Sequence, residues 1–199
     1  MSTRGSRLLG KLPSIIALAF GAALVLSVTP ARGDPIDLTA CNAATLSRPF
    51  ATWGDFASYE LAPGGDFEKP AWTLSGGSGL VRSSEPYAAT GKLGSWSLAL
   101  PAGSSAQSPA TCVDAAYPTV RFFVGGTGSV AVTIVAGDVK IPAGIAVAGL
   151  GWQPTLVMLT SSAVVASTTD GVAEVSLRLT ALSGDPKVDD VFIDPWNRG

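Results

Sequence analysis

Few side chains in this sequence can do chemistry, and histidine is not among them. Without an imidazole, serine and cysteine nucleophiles lose their usual base and zinc loses its commonest ligand, so triad hydrolysis and histidine-ligated zinc sites are excluded. Carboxylates remain. Asp185, Asp189, Asp190 and Asp194 cluster near the C-terminus, and two carboxylates suffice as the acid and nucleophile of a glycosidase. Strand alternation, however, puts Asp190 and Asp194 on one face and Asp189 on the other. They do not converge as a catalytic pair, and the chain is expected not to be an enzyme. The same residues, with Glu68 and backbone carbonyls, could hold a calcium ion, which takes about six to eight oxygen ligands. The plainer reading is a solvated strand end kept soluble by its charges.

Aromatic rings are the other candidates, because sugars stack their C–H faces on them and bond their hydroxyls to polar neighbours. Trp72 and Trp152 lead into apolar strands and read as core or core rim. Trp53, Tyr59, Tyr87, Tyr117, Phe123 and Trp196 lie in turn-rich or polar-facing stretches. Each of them alone reads equally as a plug over the core. The candidate ligand-binding set is Trp53, Tyr59, Tyr87, Arg121 and Phe123, the last two on the outward side of one strand.

Positioning such residues falls to an exported β domain. Arg4, Arg7 and Lys11 precede an apolar run from Ile15 to Val28, which is shorter than the roughly 20 residues of a membrane span and has a signal-peptide layout. Residues 1–33 are therefore expected to be removed, leaving a secreted, extracellular chain with no membrane span. The positively charged segment before the apolar run carries three of the 13 basic residues and none of the 15 acidic ones, so the mature charge is 10 minus 15, or −5, if Arg32 stays. That balance opposes binding to nucleic acid or to an anionic lipid surface, both of which need a basic patch.

Two cysteines survive processing, and in an exported chain Cys41 and Cys112 are expected to pair. Closing a loop of about 70 residues contributes roughly 4 kcal/mol on the chain-entropy estimate. The alternative is acylation of Cys41, since Leu38-Thr39-Ala40-Cys41 has the letters of a lipoprotein box. That box stands away from the apolar run, across Arg32, Asp34 and Asp37, and its use would leave Cys112 unpaired.

After the leader no helical stripe occurs; apolar residues alternate or cluster in short runs between Gly, Pro, Ser and Asp. Val172 to Leu179 alternates most cleanly. Trp96, Leu98 and Leu100 repeat the pattern, which makes Trp96 a core residue. Thr119–Val124 and Ser129–Val135, joined by Gly125-Gly126-Thr127-Gly128, read as a hairpin. Further strands are expected at Ala71–Leu74, Leu80–Arg82, Val139–Ile141, Gly144–Ala148, Leu156–Thr160, Ala163–Ala166 and Val188–Ile193. So many short strands in one domain imply two packed sheets or a closed barrel.

One layout narrows this choice. Gly64-Gly65-Asp66-Phe67-Glu68, then Trp72, then Gly91 and Ser97-Leu98, then Trp152-Gln153, then Val188-Asp189-Asp190-Val191 resembles secreted carbohydrate-binding modules of the galactose-binding-like jelly-roll fold. The resemblance spans about residues 64 to 194. It implies an all-β, two-sheet β-sandwich whose first and last strands are adjacent, and a structural calcium held by carboxylates such as Glu68 and Asp190. The expected organisation is a signal peptide (1–33), an N-terminal extension packed on the sandwich and stapled by the disulfide (34–63), and the sandwich itself (64–199). The expected function is a non-catalytic binding module for a glycan or cell-envelope polymer. The alternative is a structural or adhesive envelope protein that binds another protein, marked by an exposed apolar patch containing Trp53 and Tyr59.

Overall fold

A computed structural model of the chain describes residues 45–114, 119–159 and 172–194. The expected signal peptide, Cys41, Tyr117, the strand expected at Ala163–Ala166, and Trp196 lie outside these residues. Among the described residues no helix is long and apolar enough to cross a membrane.

The strands form two antiparallel sheets. The larger, eight-stranded sheet contains β1 (Leu46–Ser47), β2 (Tyr59–Leu61), β4 (Gly79–Arg82), β5 (Trp96–Ala99), β8 (Thr119–Gly126), β11 (Gln153–Pro154), β12 (Met158–Leu159) and β14 (Pro186–Asp194). The six-stranded sheet contains β3 (Thr73–Ser75), β6 (Ser105–Gln107), β7 (Thr111–Asp114), β9 (Ser129–Ala136), β10 (Val139–Val147) and β13 (Val172–Ser183). At the centre of the larger sheet β14 pairs with β8 on one side and with β2 and β5 on the other. The first and last parts of the described chain therefore share a sheet, as the motif order implied.

Alternation builds the core between the sheets. Val130, Val132 and Ile134 of β9 and Val175, Leu177 and Leu179 of β13 face Val120, Phe122 and Val124 of β8, all of them buried. Every second side chain enters the interior because the pleat reverses direction at each residue.

Three strand readings change. First, β8 and β9 do not form a hairpin: β8 pairs with β14, whereas β9 pairs with β10 and β13 in the other sheet. The glycine-rich link is a crossover between sheets. It passes so close to the turn after β13 that a Cβ on Gly128, whose φ is +94°, would lie 1.9 Å from the Ser183 carbonyl oxygen. Second, Trp96 is only half-buried. Its cross-strand partner Arg82, on the edge strand β4, lays its guanidinium 5.0 Å from the indole ring centre. Third, Val139–Ile141 and Gly144–Ala148 merge into the single strand β10, with a bulge between Pro142 and Gly144.

Part of the expected extension is itself sheet, since β2 pairs Leu61 with Phe192 and Glu60 with Ile193. The Gly64-Gly65-Asp66-Phe67-Glu68 segment follows directly against β14. Ala62 N–H donates to the Val191 carbonyl (2.8 Å) and Val191 N–H to the Gly65 carbonyl (3.0 Å). A Cβ on Gly65 would stand 2.7 Å from that Val191 oxygen, so only glycine permits the approach.

Candidate functional site

The outer face of the larger sheet carries a second apolar cluster, separate from the main core: Phe50, Tyr59, Phe123 and Phe192, with Leu61, Ala89 and Trp152 packed against it. Two of its members follow from the register. Phe123 is one residue out of step with Phe122 and Val124, so it points away from the sandwich interior. Phe192 points outward because β14 shifts register between Asp189 and Phe192. Val188, Val191 and Ile193 are all in the main core, a spacing that strict alternation cannot produce. The irregularity is centred on Asp190, whose φ is +46°.

This bulge also corrects the expectation for the acidic residues. Asp189 and Asp190 are both buried instead of facing opposite ways, and buried Glu85 lies with them. Asp189 Oδ2 accepts from the Ser84 hydroxyl (2.8 Å) and from Glu85 N–H (2.9 Å), while Asp189 Oδ1 accepts from Asp190 N–H (3.0 Å). Burial pushes the Asp189 carboxyl up to about 7 against the pull of these bonds, with the charge of Glu85 adding to the rise. Burial, then the charges of Asp189 and Glu85, push Asp190 up as well. Glu85 in turn holds the loop that follows it, accepting from Tyr87 N–H and from Ala89 N–H (2.9 Å).

Glu68, the other expected calcium ligand, is engaged elsewhere. Its Oε1 accepts from Ser95 N–H (2.6 Å) and Trp96 N–H (3.0 Å), fixing the start of β5. The carboxylates whose charges act on Asp190 are Asp189, Glu85 and Asp66. Among the described residues no group of three or more His, Cys, Asp or Glu side chains is arranged to hold a metal ion. Glu68 and Asp190, the calcium ligands that the resemblance implied, thus have different partners among the described residues. Cys112, in β7, is not a free thiol; Cys41 lies outside the described residues.

The five candidate ligand-binding residues meet on the outer face, at two depths. Tyr59, Arg121 and Phe123 are 1%, 6% and 0% exposed, whereas Trp53 and Tyr87 are 37% and 44% exposed. Phe123 is the floor: its ring centre lies 5.5 Å from both Trp53 and Tyr87, which meet edge to face at 5.0 Å. Tyr87 is further fixed by its hydroxyl, which donates to the Trp152 carbonyl (2.7 Å). Phe123 was expected on a polar face, but the segment carrying Phe50 and Trp53 and the loop carrying Tyr87 cover it.

Arg121 and Tyr59 bind this cover down. Arg121 Nη1 lies 2.6 Å from Asp55 Oδ2, and its Nε and Nη2 donate to the Thr155 carbonyl at 2.9 and 2.6 Å. Its guanidinium carbon sits 4.2 Å from the ring centre of Phe50, within cation–π range. The Tyr59 hydroxyl donates to Asp55 Oδ2 (2.7 Å) and Ala57 N–H to Asp55 Oδ1 (3.1 Å). Partial burial raises the Asp55 carboxyl, but the bonds from Tyr59, Arg121 and Ala57 outweigh it and hold the group below its ordinary value. Burial and the bond to Asp55 push the Tyr59 phenol upward. With their polar atoms engaged inside the protein, Arg121 and Tyr59 brace the surface that Trp53 and Tyr87 present.

Above this floor opens a cleft of about 900 Å³ between the Thr45–Trp53 segment and the Tyr87–Gly91 loop, with Leu61 and Phe192 at its base. Trp53 and Tyr87 line it, together with Ser47, Arg48, Thr52 and Thr90. Sequence reasoning missed Arg48, Phe50 and Phe192. Arg48 and Phe50 stand in an irregular segment without periodicity, and Phe192 is turned outward by a bulge that alternation does not foretell.

No family model matches the sequence, and no curated protein matches it. Solved structures similar to it include carbohydrate-binding modules, as the motif order implied. The xylan-binding CBM22-1 domain of Paenibacillus barcinonensis Xyn10C is 15% identical with a TM-score of 0.41, over 64% of this chain and 89% of that one. The enzymatically active domain of bacteriophage CBA120 tailspike protein 4 is 15% identical with a TM-score of 0.41, over 66% of this chain. This chain spans only 20% of that tailspike chain. A Stig cyclase from Fischerella sp. TAU is 12% identical with a TM-score of 0.44, over 68% of this chain and 97% of that one. At such values neither ligand nor chemistry carries across, and the two-sheet sandwich stands on its own strand pairing.

Proposed function

We propose that the chain is an exported, non-catalytic binding module that takes a glycan in the cleft walled by Trp53 and Tyr87. One observation carries this reading: two exposed aromatic rings are held against a fully buried Phe123, at the edge of a cleft that the polar residues Ser47, Thr52 and Thr90 also line. Sugars need both surfaces, a ring for their C–H face and hydroxyls for their polar edge. Rings fixed in advance lose little side-chain entropy when a ligand arrives.

Titration with soluble polysaccharides, followed by Trp fluorescence and calorimetry, tests the reading. Saturable binding that Trp53→Ala abolishes is expected. Flat titrations across neutral and acidic polymers, or binding that Trp53→Ala leaves unchanged, would overturn it. The alternative, a protein-binding envelope element marked by Trp53 and Tyr59 in one exposed apolar patch, is the less favoured because Tyr59 is buried beneath Phe50.

The reading includes removal of residues 1–33 and a Cys41–Cys112 bond pinning the segment before β2, the strand that leads to the cleft. Reduction is then expected to raise amide exchange in residues before Pro63 first. Uniform exchange across the whole domain would contradict the staple.

A further inference from the structure

The charges around the cleft are one-sided. Of the described residues that line it, Arg48 alone carries a formal charge, in a chain whose acidic residues outnumber its basic ones by 15 to 13. Carboxylates do occur beside both segments that frame the cleft, but each is engaged within the protein. Asp55 is engaged by Arg121, Tyr59 and Ala57 N–H. Buried Glu85 accepts from the N–H groups of Tyr87 and Ala89. Neither lines the cleft, where it could screen Arg48.

Arg48 is itself well placed to hold an anion. Its side chain is exposed, and among the described residues it enters no ion pair. Its backbone is anchored: its carbonyl accepts from Ala51 N–H (3.3 Å), and two residues on Phe50 is fully buried and stacked on Phe123. A planar guanidinium on a fixed stem offers two parallel N–H donors to a carboxylate, a geometry that a point charge lacks. The Tyr87 hydroxyl is occupied by Trp152, so that wall offers its ring and leaves the charge recognition to Arg48.

We infer that the cleft selects a carboxylate-bearing glycan, a polymer of uronic acid residues, with Arg48 holding the carboxylate while Trp53 and Tyr87 hold the sugar ring. This rests on the glycan reading and adds the class of sugar to it. A neutral glycan would leave Arg48 solvated and unused, whereas an acidic one gains a charge-assisted pair. Because the chain is acidic overall, the attraction is local to the cleft and does not extend to polyanions in general.

The test compares the mature protein with Arg48→Gln, Arg48→Lys and Trp53→Ala for binding to polygalacturonate, to the same polymer methyl-esterified and hence neutral, and to dextran sulfate. Polygalacturonate is expected to bind best. Esterification or Arg48→Gln should each weaken binding about tenfold, the loss of one charge-assisted bond. Arg48→Lys should recover only part of it, and Arg48→Gln should bind the acid and the ester alike. Equal affinity for acid and ester in the wild type, with Trp53→Ala abolishing both, overturns the acidic-sugar inference and leaves the glycan reading standing. Binding to dextran sulfate without binding to polygalacturonate also overturns it, in favour of a sulfated ligand. No binding to any polymer overturns both. Arg48 is exposed, so its variants fold, and unchanged thermal midpoints would verify that.

Discussion

The two apolar clusters, one on each side of the larger sheet, are built by different rules. Between the sheets the packing is mostly aliphatic and comes from long alternating strands, with Leu177, Leu179, Val132 and Ile134 contributed in strict period. On the outer face it is aromatic, gathered from β2, β8 and β14 and an irregular segment, and tied down by Asp55 and Arg121. The first cluster is a repeating consequence of pleat geometry. The second depends on single residues at a turn, a bulge and an ion pair. One region should therefore set stability and the other the binding surface, and substitutions can test that division.

The largest effect is expected in the main core. Leu177 is fully buried between the sheets, and Leu177→Ala should cost about 4 kcal/mol through lost transfer energy and the cavity left behind. Urea unfolding would read this as a lower midpoint. If the division holds, amide exchange in the Phe50–Trp53 segment below the midpoint stays unchanged. Faster exchange there in the folded variant would mean that the clusters are coupled.

Next is the strap of the outer cluster. Arg121→Met removes one partner of a largely buried pair and leaves Asp55 facing an apolar side chain, at a cost of about 2–3 kcal/mol once the partial exposure of Asp55 is allowed for. Unlike the core substitution it should also loosen the Phe50–Trp53 segment, seen as faster amide exchange there. The double variant Arg121→Met with Asp55→Leu should recover part of the loss, since no charge is then stranded. Full additivity of the two would show that the pair does not act as a strap.

The acidic cluster behind the Tyr87 loop gives the third test. Asp189 is held up to about 7, from an ordinary 3.8, mainly by burial. The folded protein thus keeps a proton that the unfolded chain releases near pH 4. Stability is fully present below that point and falls as pH rises through about 7, by on the order of 2 kcal/mol between pH 5 and pH 8. The urea midpoint is expected to be higher at pH 5 than at pH 8, and Asp190→Asn, which removes a second carboxyl that burial also pushes up, should flatten the slope. A midpoint that rises between pH 5 and pH 8 would show that these carboxyls are ionised in the fold.

The contrast between clusters also explains how much could be read from the sequence. Alternation at Val175, Leu177 and Leu179 is enough to find β13 and the face it buries, because any strand with one covered side must show it. The partner of a strand is less visible. The glycines at 125, 126 and 128 mark a sharp change of direction, but a hairpin and a crossover between sheets both need one, and only contact with Ser183 distinguishes them. The surface aromatics could be named as candidates by their turn-rich surroundings. Their depths could not, since whether Phe123 is covered depends on Phe50, more than 70 residues away along the chain. Asp190 marks the limit most clearly: a left-handed residue within a strand reverses the inward and outward assignment of everything after it.

The smallest effect on stability is expected where the effect on binding is largest. Trp53 is more than a third exposed, and its ring contacts with Tyr87 and Phe123 are worth about 1 kcal/mol each beyond its modest burial. Trp53→Ala should therefore lower the urea midpoint only slightly while removing one wall of the cleft. Leu177→Ala should do the opposite, lowering the midpoint strongly while the folded fraction binds as before. The pair forms a crossed test, because a general loss of structure cannot weaken binding in the more stable variant and spare it in the less stable one. If both variants lost binding in proportion to their loss of stability, the cleft would be only the exterior of one cooperative core. If they separate, the outer aromatic cluster is a binding surface mounted on a core that functions independently of it.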